Sequence, residues 1–315
     1  MLPGPTLVVK SPAMFTNSGL DETQPHLPAA SGSETQPIEL RDRRRRPCRW
    51  LRLLLLMFLI LCAVIIFPGR SNVLIIGLDR APEGTKIARS DSLILTSYQP
   101  QRPSIAILSI PRDLWVEIPG VGFNRINTAH YFAENAQPGT GPLAAMAAVE
   151  RNFNVVVDDF IRVDFAGVAS FVDALGGVPI TLETPVGKLP AGEQVLTGEQ
   201  ALAFVRDRSG TDDFFRMAHG QQFVQAVLSR LLQPGAWPRI PAALVAMSEN
   251  FESSMNVIER MRFGITLLRV GPESIATHQI TREMTTGFIT DQGAQVLDPN
   301  WDLIHPLVHE LFGSR

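Results

Sequence analysis

Arginine and aspartate recur together in this sequence at positions where a chain commonly meets a ligand. Asp79 directly follows an apolar run, Asn72–Leu78, and Asp91 sits in Arg89-Ser-Asp91 just ahead of a second run. If those runs are neighbouring strands, both carboxylates meet at one sheet edge, where open α/β sheets bind ligands. Two carboxylates combined with phosphate oxygens and water make a hard-oxygen set suited to Mg²⁺. Ser109-Ile-Pro-Arg-Asp113 closes a third run, and Arg125-Ile-Asn127 follows a glycine-rich loop. The densest cluster is Phe204-Val-Arg206-Asp-Arg208, followed by Asp212-Asp213-Phe-Phe-Arg216. On a helix Arg206 and Arg208 diverge, but where the chain leaves a helix an Arg-x-Arg pair can converge on one anion. Arginine is the side chain best suited to forked hydrogen bonding with phosphate. The bland alternative is a surface salt-bridge cluster with Asp207, Asp212 and Asp213, and high-GC coding alone would favour arginine over lysine.

The elements that must position these residues can be read from periodicity and punctuation. Strands are expected at Asn72–Leu78, Ser92–Tyr98, Ser104–Ile110 and Leu114–Ile118. Alanine-rich Gly141–Phe153 and Phe165–Leu175 read as helices, the second stopped by Gly176-Gly177. A strand resumes at Val178–Leu182. Thr197-Gly-Glu-Gln200 forms a capping box that opens a helix through Val205. A longer amphipathic helix covers Phe215–Leu232 and stops at Pro234-Gly235. Two helices near Pro241–Asn250 and Asn256–Val270, a strand-like Ser274–Thr281 and a helix near Pro299–Phe312 complete the same domain. Strands alternating with helices predict an α/β fold, an α-β-α layered domain with a mixed central sheet.

Composition bounds the partners. The 315 residues are 45% hydrophobic and 19% charged, with a formal net charge of -3, so a sizeable core can form. Eight of the 28 basic residues and five of the 31 acidic ones lie in residues 1–52; the remainder carries a net charge of about -6. An acidic bulk argues against a general nucleic-acid binder, which needs surplus positive charge to displace counterions. Both cysteines precede residue 63, which excludes disulfides, thiolate metal sites and cysteine nucleophiles beyond it.

Residues 53–67 form an unbroken apolar run, and with Trp50–Arg52 they give a helix of about 27 Å, enough for one transmembrane helix over 50–67. The run begins far from the N-terminus and lacks an Ala-x-Ala-like exit, which argues against cleavage. Arg-Asp-Arg-Arg-Arg-Arg (41–46) flanks one side and only Arg70 the other. By the positive-inside rule, residues 1–49 are a disordered basic cytoplasmic tail and residues 68–315 lie outside the plasma membrane.

Taken in order, Asn72–Asp79, Arg89-Ser-Asp91, Ser109-Ile-Pro-Arg-Asp113, Arg125-Ile-Asn127, Val172-Asp-Ala-Leu-Gly-Gly-Val178 and Leu202–Gln221 resemble the LytR-CpsA-Psr family of cell-wall ligases. No single motif is diagnostic; the ordered set is specific. The resemblance implies a membrane-anchored enzyme that transfers a glycopolymer from a polyprenyl-pyrophosphate carrier to peptidoglycan through a phosphodiester, assisted by Mg²⁺. Asp79 and Asp91 match that family's metal-binding aspartates. Arg89, Arg112, Arg206, Arg208 and Arg216 match the arginines that hold the pyrophosphate, with Arg125 and Gln221 as further substrate contacts. Asp213 matches a candidate general base, which with Arg112 and Arg216 forms the expected catalytic set. The family commonly has Arg-Gln-Gln where this chain has His219-Gly-Gln221, and His219 reads as a helix-surface histidine. An apolar cleft between sheet and helices is expected to house the start of the prenyl chain.

Other readings stay open on the residues alone. Water as acceptor would make the same cradle a metal-dependent polyprenyl-pyrophosphate phosphohydrolase. A membrane-bound transcriptional attenuator would need a cytoplasmic DNA-binding domain, and the fifty residues before the apolar run hold no helix-turn-helix pattern. A catalytically inert wall-binding anchor would not need Asp79 or Asp91.

Overall fold

The apolar run after the N-terminal helix becomes the middle of a six-stranded sheet. A computed structural model describes residues 49–66, 69–79, 90–207 and 213–313, and describes no side chain for 63–66 or 213. The tail, Arg89, Arg208 and Asp212 lie outside the described residues. In chain order the first half contains α1 (Arg49–Ile66), β1 (Ser71–Leu78), β2 (Ser90–Gln99), β3 (Ser104–Ile110), β4 (Trp115–Ile118), β5 (Gly122–Arg125), α2 (Thr128–Ala136), α3 (Gly141–Phe153) and β6 (Asp159–Asp164). Then follow α4 (Phe165–Ala174), β7 (Val178–Leu182), β8 (Gly192–Leu196), α5 (Gly198–Arg206), α6 (Asp213–Leu232), α7 (Ile240–Met247), β9 (Phe251–Ser253), α8 (Val257–Val270), β10 (Ala276–Gln279), β11 (Thr285–Ile289), β12 (Gln295–Pro299) and α9 (Trp301–Phe312).

The strand order is β10-β3-β2-β1-β6-β9, with β1–β6 and β3–β10 parallel and the other neighbours antiparallel. Side chains alternate across this sheet. Leu74, Ile76, Leu93, Leu95 and Leu108 face a layer that includes Val149 and Phe153 of α3 and Ile304 and Val308 of α9. Val73, Ile94, Ile105 and Ile107 face the other layer, where Leu267 of α8 packs with Val224 and Leu228 of α6. Each such fully buried side chain contributes roughly 1.5–3 kcal/mol. The mixed α-β-α expectation is met, and the segment after Pro234 supplies both sheet edges, β9 and β10.

The expected capping box opens α5: Thr197 Oγ1 accepts from the Gln200 amide at 3.3 Å, and Gln200 Oε1 accepts from the Thr197 amide at 2.9 Å. Asn256 and Glu259 open α8 in the same way. The sequence reading missed β6. Its Asp-Phe-Ile-Arg-Val-Asp carries three charges, and only the tertiary setting accommodates them. Arg162 lies between Glu134 at 3.4 Å and Glu252 at 2.5 Å.

The expected membrane helix coincides with α1. Its side chains are described only as far as Cys62, and among the described residues no helix is long and apolar enough to cross a membrane. Past α1, Arg262 of α8 donates to the Gly69 carbonyl at 3.3 Å.

The sheet pattern decides where chemistry can sit. Leu78 at the end of β1 pairs with Ser90 at the start of β2, after a register shift at Gly77/Leu78. Leu93 pairs with Ile110 at the end of β3. The ends of β1, β3, β6 and β10 and the start of β2 therefore share one edge.

Candidate anion and metal site

That shared edge brings Asp79 and Asp91 together, as the neighbouring-strand expectation required. Asp79 is the first residue after β1, and Arg206, the last residue of α5, donates a hydrogen bond to its carboxylate. The Arg206 guanidinium lies 5.7 Å from the centroid of Phe165, the residue that follows β6. Asp91 accepts from Arg112 Nη1 at 2.8 Å, and the Asp91 carbonyl accepts from Arg216 Nη2 at 3.4 Å. A cavity of about 260 Å³ opens among Asp79, Asp91, Phe165, Arg206 and Arg216. At roughly 30 Å³ per water this is room for a diphosphate group.

The donor set has two parts. The arginines offer forked N–H donors for phosphate oxygens. The aspartates offer hard oxygens, and both are partly exposed to the cavity, with 28% and 25% of their side-chain surface accessible. Among the described residues no group of three or more His, Cys, Asp or Glu side chains comes together that could hold a metal. Two carboxylates with open space beside them suit Mg²⁺, which keeps several waters and completes its shell with phosphate oxygens. The residues fit that ion.

A family model described as the LytR_cpsA_psr family matches residues 68–303. The chain belongs to this family. A polyisoprenyl-teichoic acid–peptidoglycan teichoic acid transferase, TagU of Oceanobacillus iheyensis, is 31% identical over 192 residues, covering 59% of each chain. The chain spans 59% and 60% of the length of the first curated relatives it matches. Among solved structures, TagV of B. subtilis superposes with a TM-score of 0.66 at 23% identity, covering 79% of this chain and 100% of that one. TagT bound to LI-WTA superposes with a TM-score of 0.61 at 21% identity, covering 78% of this chain and 91% of that one. Both likenesses concern the fold.

Within this LytR-CpsA-Psr chain, the other sequence-derived site residues divide by location. Arg216 lines the cavity, and Arg112 meets the site through Asp91 while lining the recess below it. Arg125 does not line the cavity: Asp113 holds its Nε at 3.2 Å, and its Nη2 donates to the Gln295 carbonyl at 2.7 Å. Its place at the end of β5 ties the β4–β5 hairpin to the start of β12. Gln221 also faces elsewhere. Its amide donates to Ser109 Oγ at 2.9 Å and to the His278 carbonyl, joining α6 to β3 and β10. Arg89, Arg208 and the Asp213 side chain lie outside the described residues, although Asp213 is the first residue of α6.

The expectation for His219 needs correction. Its ring lies against Phe204, tilted by 32° with centroids 4.8 Å apart, rather than lying free on the helix surface. Burial holds its pKa below the usual 6.5, with Asp207 opposing in part. A neutral ring against an aromatic face does not replace a phosphate-binding cation.

The α6 side chains offered for the expected prenyl cleft are themselves packed. Phe223 is in the core beside α5, and Val224 and Leu228 pack against the sheet. Below Arg112 and Arg216 lies a recess of about 20 Å³ among Leu93, Ile94, Ile110, Met217 and Gly220, less than one prenyl unit occupies.

Phe165 was missed by the sequence reading. The signal was its place just after a strand, but that strand, β6, was itself hidden by its charges.

Proposed function

We propose that this protein is a phosphotransferase that attaches a glycopolymer from a polyprenyl-pyrophosphate carrier to peptidoglycan through a phosphodiester. One observation carries the reading: in a LytR-CpsA-Psr chain, Asp79, Asp91, Arg206 and Arg216 converge on one cavity sized for a diphosphate. TagU relatives are named as teichoic acid transferases, which supports the reaction class. The apolar run of residues 50–67 is the single membrane anchor in this reading. The N-terminus is inside and the catalytic domain outside, beside the lipid carrier.

The acceptor hydroxyl oxygen forms a bond to the phosphorus that bears the glycan. The P–O bond to the polyprenyl phosphate breaks, and polyprenyl phosphate leaves. Arg206 and Arg216 hold the diphosphate oxygens, and Arg112 holds Asp91 in place while adding positive charge. Such fixed donors stabilise the charge that develops on the leaving group and need little reorganisation. Asp213, at the start of α6, takes the proton of the attacking hydroxyl. Asp79 and Asp91 would hold Mg²⁺, which supplies further neutralisation of the diphosphate charge.

The test is transfer of a lipid-linked glycan to peptidoglycan by the full chain, compared with Arg206→Ala. Loss of wall-linked glycan in the variant is the expected result. Undiminished transfer would overturn the reading, and free glycan phosphate as the main wild-type product would replace it with hydrolysis.

A further inference from the structure

A second and larger cavity, of about 620 Å³, opens beside the first turn of α6. Phe214, Phe215 and Ala218 form one wall; Gln279 at the end of β10, Thr281 and Glu283 form the other. At 100° per residue, positions 214, 215 and 218 share one face of α6, and positions 216, 217 and 220 share the opposite face. The latter three line the anion cavity or the recess below it. The two cavities therefore flank the helix start from opposite sides, and Asp213 is the residue that opens that helix.

The chemistry of the second cavity differs from the first. Phe215 is 52% exposed, so much of a large aromatic face is turned outward. Arg282 lies 5.6 Å from the centroid of Phe214 and Glu283 is its neighbour, so the charges of the lining compensate one another. Gln279 and Glu283 offer paired oxygens or N–H groups, and Thr281 offers a hydroxyl. An apolar face with a few convergent planar polar groups recognises a sugar ring, whose C–H face stacks while its hydroxyls pair. Among the described residues the lining has no surplus positive charge, which does not favour a polyanionic polymer.

We propose that this cavity is the acceptor-glycan cleft, holding a stretch of peptidoglycan sugar chain beside the hydroxyl that attacks. The assignment rests on the transfer reading above. An attacking oxygen must approach phosphorus opposite the leaving polyprenyl phosphate, so acceptor and carrier come from different sides. The two faces of α6 provide those sides. The hydroxyl proton passes to Asp213, its P–O bond forms, and the bond to the carrier phosphate breaks.

The experiment uses the full chain in detergent micelles with soluble disaccharide-peptide fragments of peptidoglycan as probe and acceptor. Phe215→Ala is expected to raise the acceptor KM and the fragment Kd about tenfold, with the donor KM unchanged. Glu283→Gln serves as a second variant, with the same split between acceptor and donor. Arg206→Ala is expected to lose transfer while keeping fragment affinity. A rise in donor KM instead would assign the cleft to the donor's own polymer and overturn the proposal, as would fragment binding indifferent to both cleft variants. Wild-type chain that binds fragments through Phe215 yet transfers nothing leaves the cleft standing and removes the transfer reading alone.

Discussion

Arg206 donates to Asp79 across 127 residues of chain, closing the end of α5 onto the end of β1. Arg112 and Arg216 make the equivalent contacts with Asp91, one to its carboxylate and one to its carbonyl. Each positive group observed at the site thus already faces an oxygen of the protein. A diphosphate drawn to the arginines leaves the carboxylates short of partners, and a divalent cation drawn to the carboxylates frees the arginines. Bound together, each ligand offsets the charge that the other leaves exposed.

On the proposed reading, metal and donor are expected to bind cooperatively. Mg²⁺ is expected to tighten donor binding to the full chain, and the donor to tighten Mg²⁺ by the same factor, because linkage is reciprocal. Calorimetric titration in both orders measures it. In Asp79→Asn the coupling should fall toward unity. Independent affinities in the wild type would show that the aspartates do not hold the ion.

Removing the fork should cost more than removing the charge. Arg206→Ala is expected to lower kcat/KM by about 10²-fold, the usual effect of losing one fixed donor to developing charge. Arg206→Lys keeps the charge but cannot make a bidentate contact, so it should recover only part of the loss. Thermal stability should change little, because a partly exposed ion pair contributes roughly 0–1 kcal/mol. Full rescue by lysine would mean that charge alone is used.

What the sequence disclosed and what it hid have physical causes. β1, the capping box of Thr197 and Gln200, and the long α6 were legible because local rules set them. The meeting of Asp79 with Asp91 was legible as a condition, that β1 and β2 be neighbours. β6 was hidden because Arg162 is accommodated by Glu134 and Glu252, which are 28 and 90 positions away in the chain. Gln221 was placed on the right helix, and Arg125 only after a loop that proved to be strand β5; both side chains end away from the cavity, since periodicity identifies a face and not where a long side chain ends. The acceptor cleft joins the first turn of α6 to residues 279–283, a contact that no local pattern announces.

His219 makes stability depend on pH in a definite direction. Burial against Phe204 depresses its pKa, so below the unfolded value of about 6.5 the unfolded chain binds more protons at this ring than the folded one. Its contribution is fully present above that pH and declines as pH falls through the folded pKa. His219→Phe preserves an aromatic stack and removes the proton. Between pH 7.5 and 5.5 the melting temperature of the wild type should therefore fall more than that of His219→Phe. Parallel curves would place the ring in contact with water.

Gly198 is expected to tolerate no side chain. A Cβ there would lie 2.2 Å from the Ala169 carbonyl oxygen, a backbone atom of α4 that cannot swing away. The Gly198 amide also donates to Asp173 Oδ1 at 2.7 Å, so α5 is held against α4 at this point. Gly198→Ala should destabilise the chain by about 1–3 kcal/mol, the usual range for overpacking, in urea unfolding followed by tryptophan fluorescence. Because α5 ends at Arg206, transfer should fall as well. A neutral result would show that the two helices separate easily.

Gly220 presents the reverse case, and it tests what the small recess is for. A Cβ at this position meets nothing within 4 Å, and the residue lies inside α6, where glycine costs about 1 kcal/mol relative to alanine. Gly220→Ala should therefore stabilise the chain by up to about 1 kcal/mol. The recess it borders is closed to a prenyl chain as it stands, so a lipid donor entering there would need Met217 or its neighbours to move apart. Gly220→Leu would fill the space into which they open. That variant should keep its affinity for inorganic pyrophosphate, while the KM for a long-chain lipid donor rises about tenfold. An unchanged donor KM would place the lipid along another path, outside the sheet–α6 interface.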